Sequence, residues 1–270
     1  MKTYDNVFIG IVDILGYKNL ENKLNSYKRD ASEALLHRMY TQLDQSVEYV
    51  IRNSDINWMR YGDGYVFHSP DSNVNYLSNM VKISCRLIAQ ALNASFPLRI
   101  AITQNSINVD NPAAGLTISG PGWLELMEIE KALDWMGGFL YLPRSDGTHQ
   151  KTLEELVQTA YLVKEQTHSE MRFTPPIKQN HHFQKDKTWF LNWYKILRQT
   201  KDDVDRSIKG WWSQVPVSGD INKCEEAERK QRNSIQFADY CRTLIQAAEL
   251  VFYSDINREL PIVKIRGDSL

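Results

Sequence analysis

Two acidic residues about fifty positions apart, Asp13 and Asp63, stand where the chain must account for a charge. Val7-Phe8-Ile9-Gly10-Ile11-Val12 is a near-continuous apolar run rich in β-branched residues, which predicts a strand buried on both faces, and it ends on Asp13. Asp63 lies in Gly62-Asp63-Gly64, between the strand-like runs Ile56 to Tyr61 and Tyr65 to Phe67, and a glycine-flanked Asp in that setting predicts a hairpin turn. If the hairpin pairs beside the first strand, two carboxylates meet, and carboxylates that close share either a proton or a divalent cation. The spacing is accounted for equally well if Asp13 caps the following helix and Asp63 only makes the turn.

Other side chains invite a weaker reading. Ile14-Leu15-Gly16-Tyr17 predicts a turn whose glycine lets backbone NH groups approach a ligand. Arg60 could read a phosphate or a base edge, and Tyr61 and Tyr65 could stack on a ring, although strand residues of these types more often serve ion pairs and cores. His181-His182 has no third ligand at a useful spacing, and Ser119 lacks the surroundings of a nucleophile elbow.

The elements that must hold these residues follow from periodicity. Ala31 to Arg52, Val74 to Leu92 and Trp123 to Trp135 have helical spacing, while Leu98 to Thr103, Leu116 to Ile118 and Phe139 to Leu142 read as strands. Asn105 to Gly115 reads as a loop. This alternation predicts an α/β or α+β sandwich over residues 1–145. From 146 to 270 helical spacing and aromatic clusters take over, with helices expected at Lys151 to Gln166 and Glu225 to Phe252. Trp189, Trp193, Trp211 and Trp212 are expected to pack helices on the sheet, so the second part reads as a helical C-terminal extension able to support a dimer.

Of the 270 residues 42% are hydrophobic and 24% charged, which is ordinary for a globular chain and argues against disorder. A net charge of -1 gives no long-range attraction to nucleic acid or to an anionic membrane. Cys85, Cys224 and Cys241 are widely spaced, which suggests neither a disulfide framework nor a zinc ribbon. No signal-peptide pattern or membrane-spanning run is evident, so a cytoplasmic location is expected.

Val12-Asp13-Ile14-Leu15-Gly16-Tyr17 resembles the first metal-site motif of the class III nucleotide cyclases, and Tyr61-Gly62-Asp63-Gly64-Tyr65 the second. Ser119-Gly120-Pro121-Gly122, Ile129-Glu130 and Asp134-Trp135-Met136-Gly137 are similar to the corresponding stretch of the bacterial pyrimidine cyclases of the Pycsar anti-phage system. The resemblance covers roughly the first half of the chain. It implies a class III cyclase-like sheet with covering helices in a homodimeric enzyme that turns UTP or CTP into a cyclic monophosphate and pyrophosphate, a second messenger read by an effector protein. It also implies that Asp13, Asp63 and the Ile14 carbonyl bind two Mg²⁺ or Mn²⁺ ions and that the backbone of Leu15, Gly16 and Tyr17 receives phosphate oxygens; from their own types and places, Arg60 is a candidate for catalysis and Tyr61 for substrate binding. One departure stands out. Where purine cyclases of the class carry an Asn and, four residues on, an Arg that steady the transition state, this chain has Leu124 and Glu128. Arg60, Arg99, Arg144 and Lys178 are the cations that could substitute. A catalytically inactive nucleotide-binding domain and a purine (ATP/GTP) cyclase are the alternatives.

Overall fold

A computed structural model describes residues 1–15, 29–52, 54–94, 96–110, 116–145, 147–164, 183–197, 200–214 and 221–256. The first strand, β1 (Lys2–Ile14), is longer than the apolar run that announces it, but its buried part is that run, Val7 to Val12, together with Ile14. Helix α1 (Arg29–Ile51), the hairpin β2 (Asn57–Tyr61) and β3 (Gly64–His68), helix α2 (Val74–Asn93) and strand β4 (Leu98–Asp110) follow. Together they make a βαββαβ unit in which β3 lies between β1 and β2 and β4 flanks β1 on the other side. β1 is antiparallel to both neighbours.

The unit continues through β5 (Thr117–Ser119), which pairs with β4, then α3 (Pro121–Ala132) and β6 (Gly137–Tyr141), which runs parallel to β4. The expected loop from Asn105 is instead the second half of β4 as far as Asp110. Alternation of Ile107 and Val109 with polar residues suits a strand with one buried face, and these residues pair with Lys2 to Tyr4 and with β5.

Beyond residue 146 the chain gives more than helices. After α4 (Gln150–Gln158), β7 (Leu162–Val163) and β8 (Thr188–Leu191) join the same sheet, whose order is β2-β3-β1-β4-β6-β8-β7. Trp189, expected to pack a helix, lies in β8 opposite Leu140; the β-branched and aromatic run Thr-Trp-Phe suits a buried strand. Trp193 is in a short 3₁₀ turn, buried against Phe237. Helices α5 (Lys201–Gln214) and α6 (Ile221–Ile256) close the described chain and pack on each other. The side chains of Trp211 and Trp212 lie outside the description. This is a mixed α/β molecule, one sheet with helices covering it.

The helices divide between the faces. On one, α1 meets the sheet through Tyr40 and Asp44, which receive Arg60, and α2 packs on α1. On the other lies α3, whose Gly122 presses on Ile9: a Cβ there would stand 2.3 Å from the Ile9 side chain. No helix among the described residues is long and apolar enough to cross a membrane.

Candidate functional site

The pleat decides which residues can meet. Val12, Tyr65 and Arg60 share one rung across β1, β3 and β2, so their side chains point to one face of the sheet. Asp13 is the next residue along and points to the other, the face of α3, as does Arg99, its partner on β4. There Arg99 is gripped from two sides. Its Nε donates to Asp13 Oδ2 at 3.1 Å and one terminal nitrogen closes on the same oxygen, while that nitrogen also forms an ion pair with Glu130 of α3. The other terminal nitrogen donates to the Leu133 carbonyl at 3.4 Å. The side chains of Arg99, Asp13 and Glu130 are only 14%, 20% and 10% exposed, so water screens this cluster weakly. One guanidinium between two carboxylates leaves a formal charge of one negative, an environment suited to a cation.

The hairpin tip arrives beside this cluster. Tyr61 pairs with Gly64, leaving Gly62 and Asp63 as a two-residue turn with positive φ (+60°) at Gly62 and not at Asp63, the pattern of a type II′ turn. Gly64 is tight against β1: a Cβ there would lie 1.8 Å from the Val12 carbonyl oxygen and 3.4 Å from Asp13 Cα. One glycine therefore supplies the turn and the other the space. Tyr61 lies on the Asp13 face, 39% exposed, its ring edge-on to Trp123 of α3 at 4.8 Å between centroids.

Several expected site residues stand elsewhere. Arg60 is on the opposite face, over the Tyr40 ring at 4.2 Å and 3.8 Å from Asp44. Arg144 is exposed beyond the end of β6 that lies away from Arg99. The NH of Leu15, expected to be open to phosphate, donates to the Pro97 carbonyl at 3.0 Å, because the β1–β4 ladder extends one residue past the Ile14–Leu98 pair. Gly16, Tyr17, Lys178, His181 and His182 lie outside the described residues. Leu124 is 67% exposed, and Glu128 is exposed too.

Two acidic residues escaped the sequence reading as site groups. Glu130 is the second carboxylate on Arg99, and Glu125 binds Thr103 and Asn105 at 3.0 and 2.6 Å, fastening α3 to β4 four to six residues along the strand from Arg99. A signal existed for Arg99: a lone charge in the apolar run Leu98 to Ile102 demands a partner as much as Asp13 does.

The donor chemistry for a cation can be tested on Asp13. Arg99 engages only Oδ2, and among the described residues Oδ1 accepts no hydrogen bond. Among those residues no group of three His, Cys, Asp or Glu side chains is arranged to hold a metal. Asp13, Asp63 and the Ile14 carbonyl are oxygen donors, a kind that suits Mg²⁺ or Mn²⁺ rather than Zn²⁺, with water or ligand oxygens completing the shell.

No known protein family and no curated protein sequence matches the chain. Its structure is similar to the catalytic core of a rhodopsin-guanylyl cyclase with converted specificity in complex with ATPαS (12% identity, TM-score 0.47, 70% of this chain and 97% of that one). It is similar to the guanylate cyclase domain of RhGC from Catenaria anguillulae in complex with GTP (13% identity, TM-score 0.47, 71% and 98%). It is also similar to the adenylyl cyclase CyaB from P. aeruginosa (13% identity, TM-score 0.43, 71% and 96%). TM-scores below 0.5 at such identities assign neither activity nor substrate.

Proposed function

We propose that this protein is a divalent-metal-dependent nucleotide cyclase acting on a pyrimidine nucleoside triphosphate, UTP or CTP. The observation that carries the reading is the buried Asp13–Arg99–Glu130 cluster with the Gly62-Asp63-Gly64 turn packed on its β1 side. The two cyclase-like motifs of the sequence thus belong to adjacent strands at one end of the sheet. Pyrimidine use, a second messenger for anti-phage defence, a downstream effector and a homodimer rest on the sequence resemblance.

In this reading Asp13, the Ile14 carbonyl and Asp63 hold the cations. When bound, the cations supply Lewis acidity at the ribose 3′-hydroxyl and offset the charge of the departing pyrophosphate. Arg99 offers a phosphate oxygen the one terminal N–H that Asp13, Glu130 and the Leu133 carbonyl leave open, and the two carboxylates that hold it keep its long stem from wandering. Tyr61 offers a half-exposed ring edge on the same face for the base. The 3′-hydroxyl gives its proton to solvent water and its oxygen forms the bond to the α-phosphorus as the bond to pyrophosphate breaks, with Arg99 the cation assigned to the charge that develops.

Purified protein incubated with ATP, GTP, CTP or UTP and Mn²⁺ should yield cyclic UMP or CMP. Asp63→Ala should lower that yield about a hundredfold or more. Absence of every cyclic product refutes the reading; cyclic AMP or GMP alone replaces it with a purine cyclase. The exposure of Leu124 and Glu128, neither able to stabilise a phosphate charge, favours a second reading, a domain that binds triphosphate without turnover. Calorimetric binding without product would establish that one.

A further inference from the structure

Arg99 takes two of its acceptors, Glu130 and the Leu133 carbonyl, from the end of α3 and the segment after it. That segment, Leu133 to Met136, reaches β6 at Gly137, which pairs with Arg99 itself. It is held from outside by α6. Arg229 grips the Asp134 carboxylate with two nitrogens, at 2.6 and 3.2 Å, and Asn233 donates to the Asp134 carbonyl at 3.0 Å. The Ser234 hydroxyl accepts from the Met136 NH at 2.8 Å, and Phe237 packs on Trp135 at 5.9 Å between centroids. Arg229, Asn233 and Phe237 are spaced four apart, so one stripe of α6 meets Asp134 and Trp135, and Ser234 beside it takes Met136.

We infer that Arg229 is a positioning residue, which through Asp134 fixes the segment that presents Glu130 and the Leu133 carbonyl to Arg99. The inference deepens the proposed function, since it matters to turnover only if Arg99 meets substrate phosphates. Docking alone does not require this pair, because Trp135, Trp193 and Phe237 already give α6 an apolar anchor. The Asp134 side chain is 6% exposed and Arg229 48%, so the pair carries a desolvation cost that an apolar contact would avoid. What the fork adds is direction: two parallel bonds set the orientation of a carboxylate whose backbone lies one residue from an Arg99 acceptor. A point charge does not replace that.

The test compares the full chain with Arg229→Lys, which keeps the charge and loses the fork, and with Asn233→Ala, which removes the carbonyl contact should the first variant fail to fold. The Arg99 Nε–H signal in ¹⁵N-arginine-labelled protein, assigned by its loss in Arg99→Lys, should shift or broaden in either variant. UTP affinity should fall about three- to tenfold, and that loss should vanish in an Arg99→Lys background, as for residues that act through one another. An unchanged Arg99 signal in folded variants overturns the inference, and so does an affinity loss that persists undiminished in the Arg99→Lys background. If the wild-type chain binds no triphosphate, the proposed function falls and the Arg99 signal alone decides this inference.

Discussion

Gly62 and Gly64 flank the same aspartate for different reasons, and exchanging each for alanine separates those reasons. At Gly64 the new Cβ would lie 1.8 Å from the Val12 carbonyl oxygen, so β3 and β1 must part by roughly an ångström before the contact is tolerable. That movement stretches the last rungs of the ladder past hydrogen-bonding length. Losing one or two such bonds costs about 1 kcal/mol each, and overpacking a filled space adds about 1–3 kcal/mol. The expected destabilisation is therefore about 2–5 kcal/mol, a fall in Tm of roughly 5–15 °C. At Gly62 a Cβ meets nothing within 4 Å, and the cost is the left-handed φ of +60°, about 1 kcal/mol for alanine. Urea titrations of the two variants should give a much lower midpoint for Gly64→Ala, and Gly62→Asn should recover most of the Gly62→Ala loss. Because Asp63 rides on this tip, Gly64→Ala should also lose nucleotide turnover beyond its loss of stability. Gly64→Ala as stable as Gly62→Ala would refute the close approach of the turn to β1.

Two further outcomes follow from burial. His68 is almost inaccessible, beside Tyr4 at 4.2 Å between ring centroids; burial takes its imidazole below the ordinary 6.5, Lys2 lowers it further, and its contact with the Ser69 carbonyl pulls the other way. A folded state that resists protonation loses stability as pH falls, so His68 contributes fully above 6.5 and progressively less below it. Denaturant stability of the wild type should drop more between pH 7.5 and 5.5 than that of His68→Gln, and equal drops would contradict the assignment. Burial also pushes the Cys85 and Cys241 thiols far above their usual value, whereas Cys224 is only half-buried. A maleimide should label one cysteine quickly in native protein and all three after denaturation; fast native labelling of Cys85 or Cys241 would be at odds with the packing of α2 and α6.

Local patterns in the sequence carried the central elements well. Val7 to Val12 announced β1, Gly-Asp-Gly announced the hairpin, and α1, α2 and α3 end within three residues of the ends their spacing predicts, because these features depend on neighbours in the chain. Helix α4 instead stops at Gln158, eight residues before the expected Gln166, where the chain turns into β7. The site was legible only in part, since its partners are distant. Arg60 drew notice by standing beside the hairpin, yet two-residue periodicity sends it to the far face, a result that needs the β1–β3 register before it can be read. Arg99 and Glu130 meet across 30 intervening residues, and no spacing rule links a strand start to a helix end. The strand at Thr188 was hidden by its tryptophan, a type that serves helices and sheets alike, and its pairing with β6 is a tertiary fact.

The placement of β8 beside β6 bears on how the chain is made. During synthesis the strand carrying Phe139 and Leu140 has one partner, β4, and its other edge waits for Thr188–Leu191 to emerge. At about 5–20 residues per second this leaves a hydrophobic edge open for seconds. A ribosome pause or a break between these strands would thus present a sticky intermediate to chaperones.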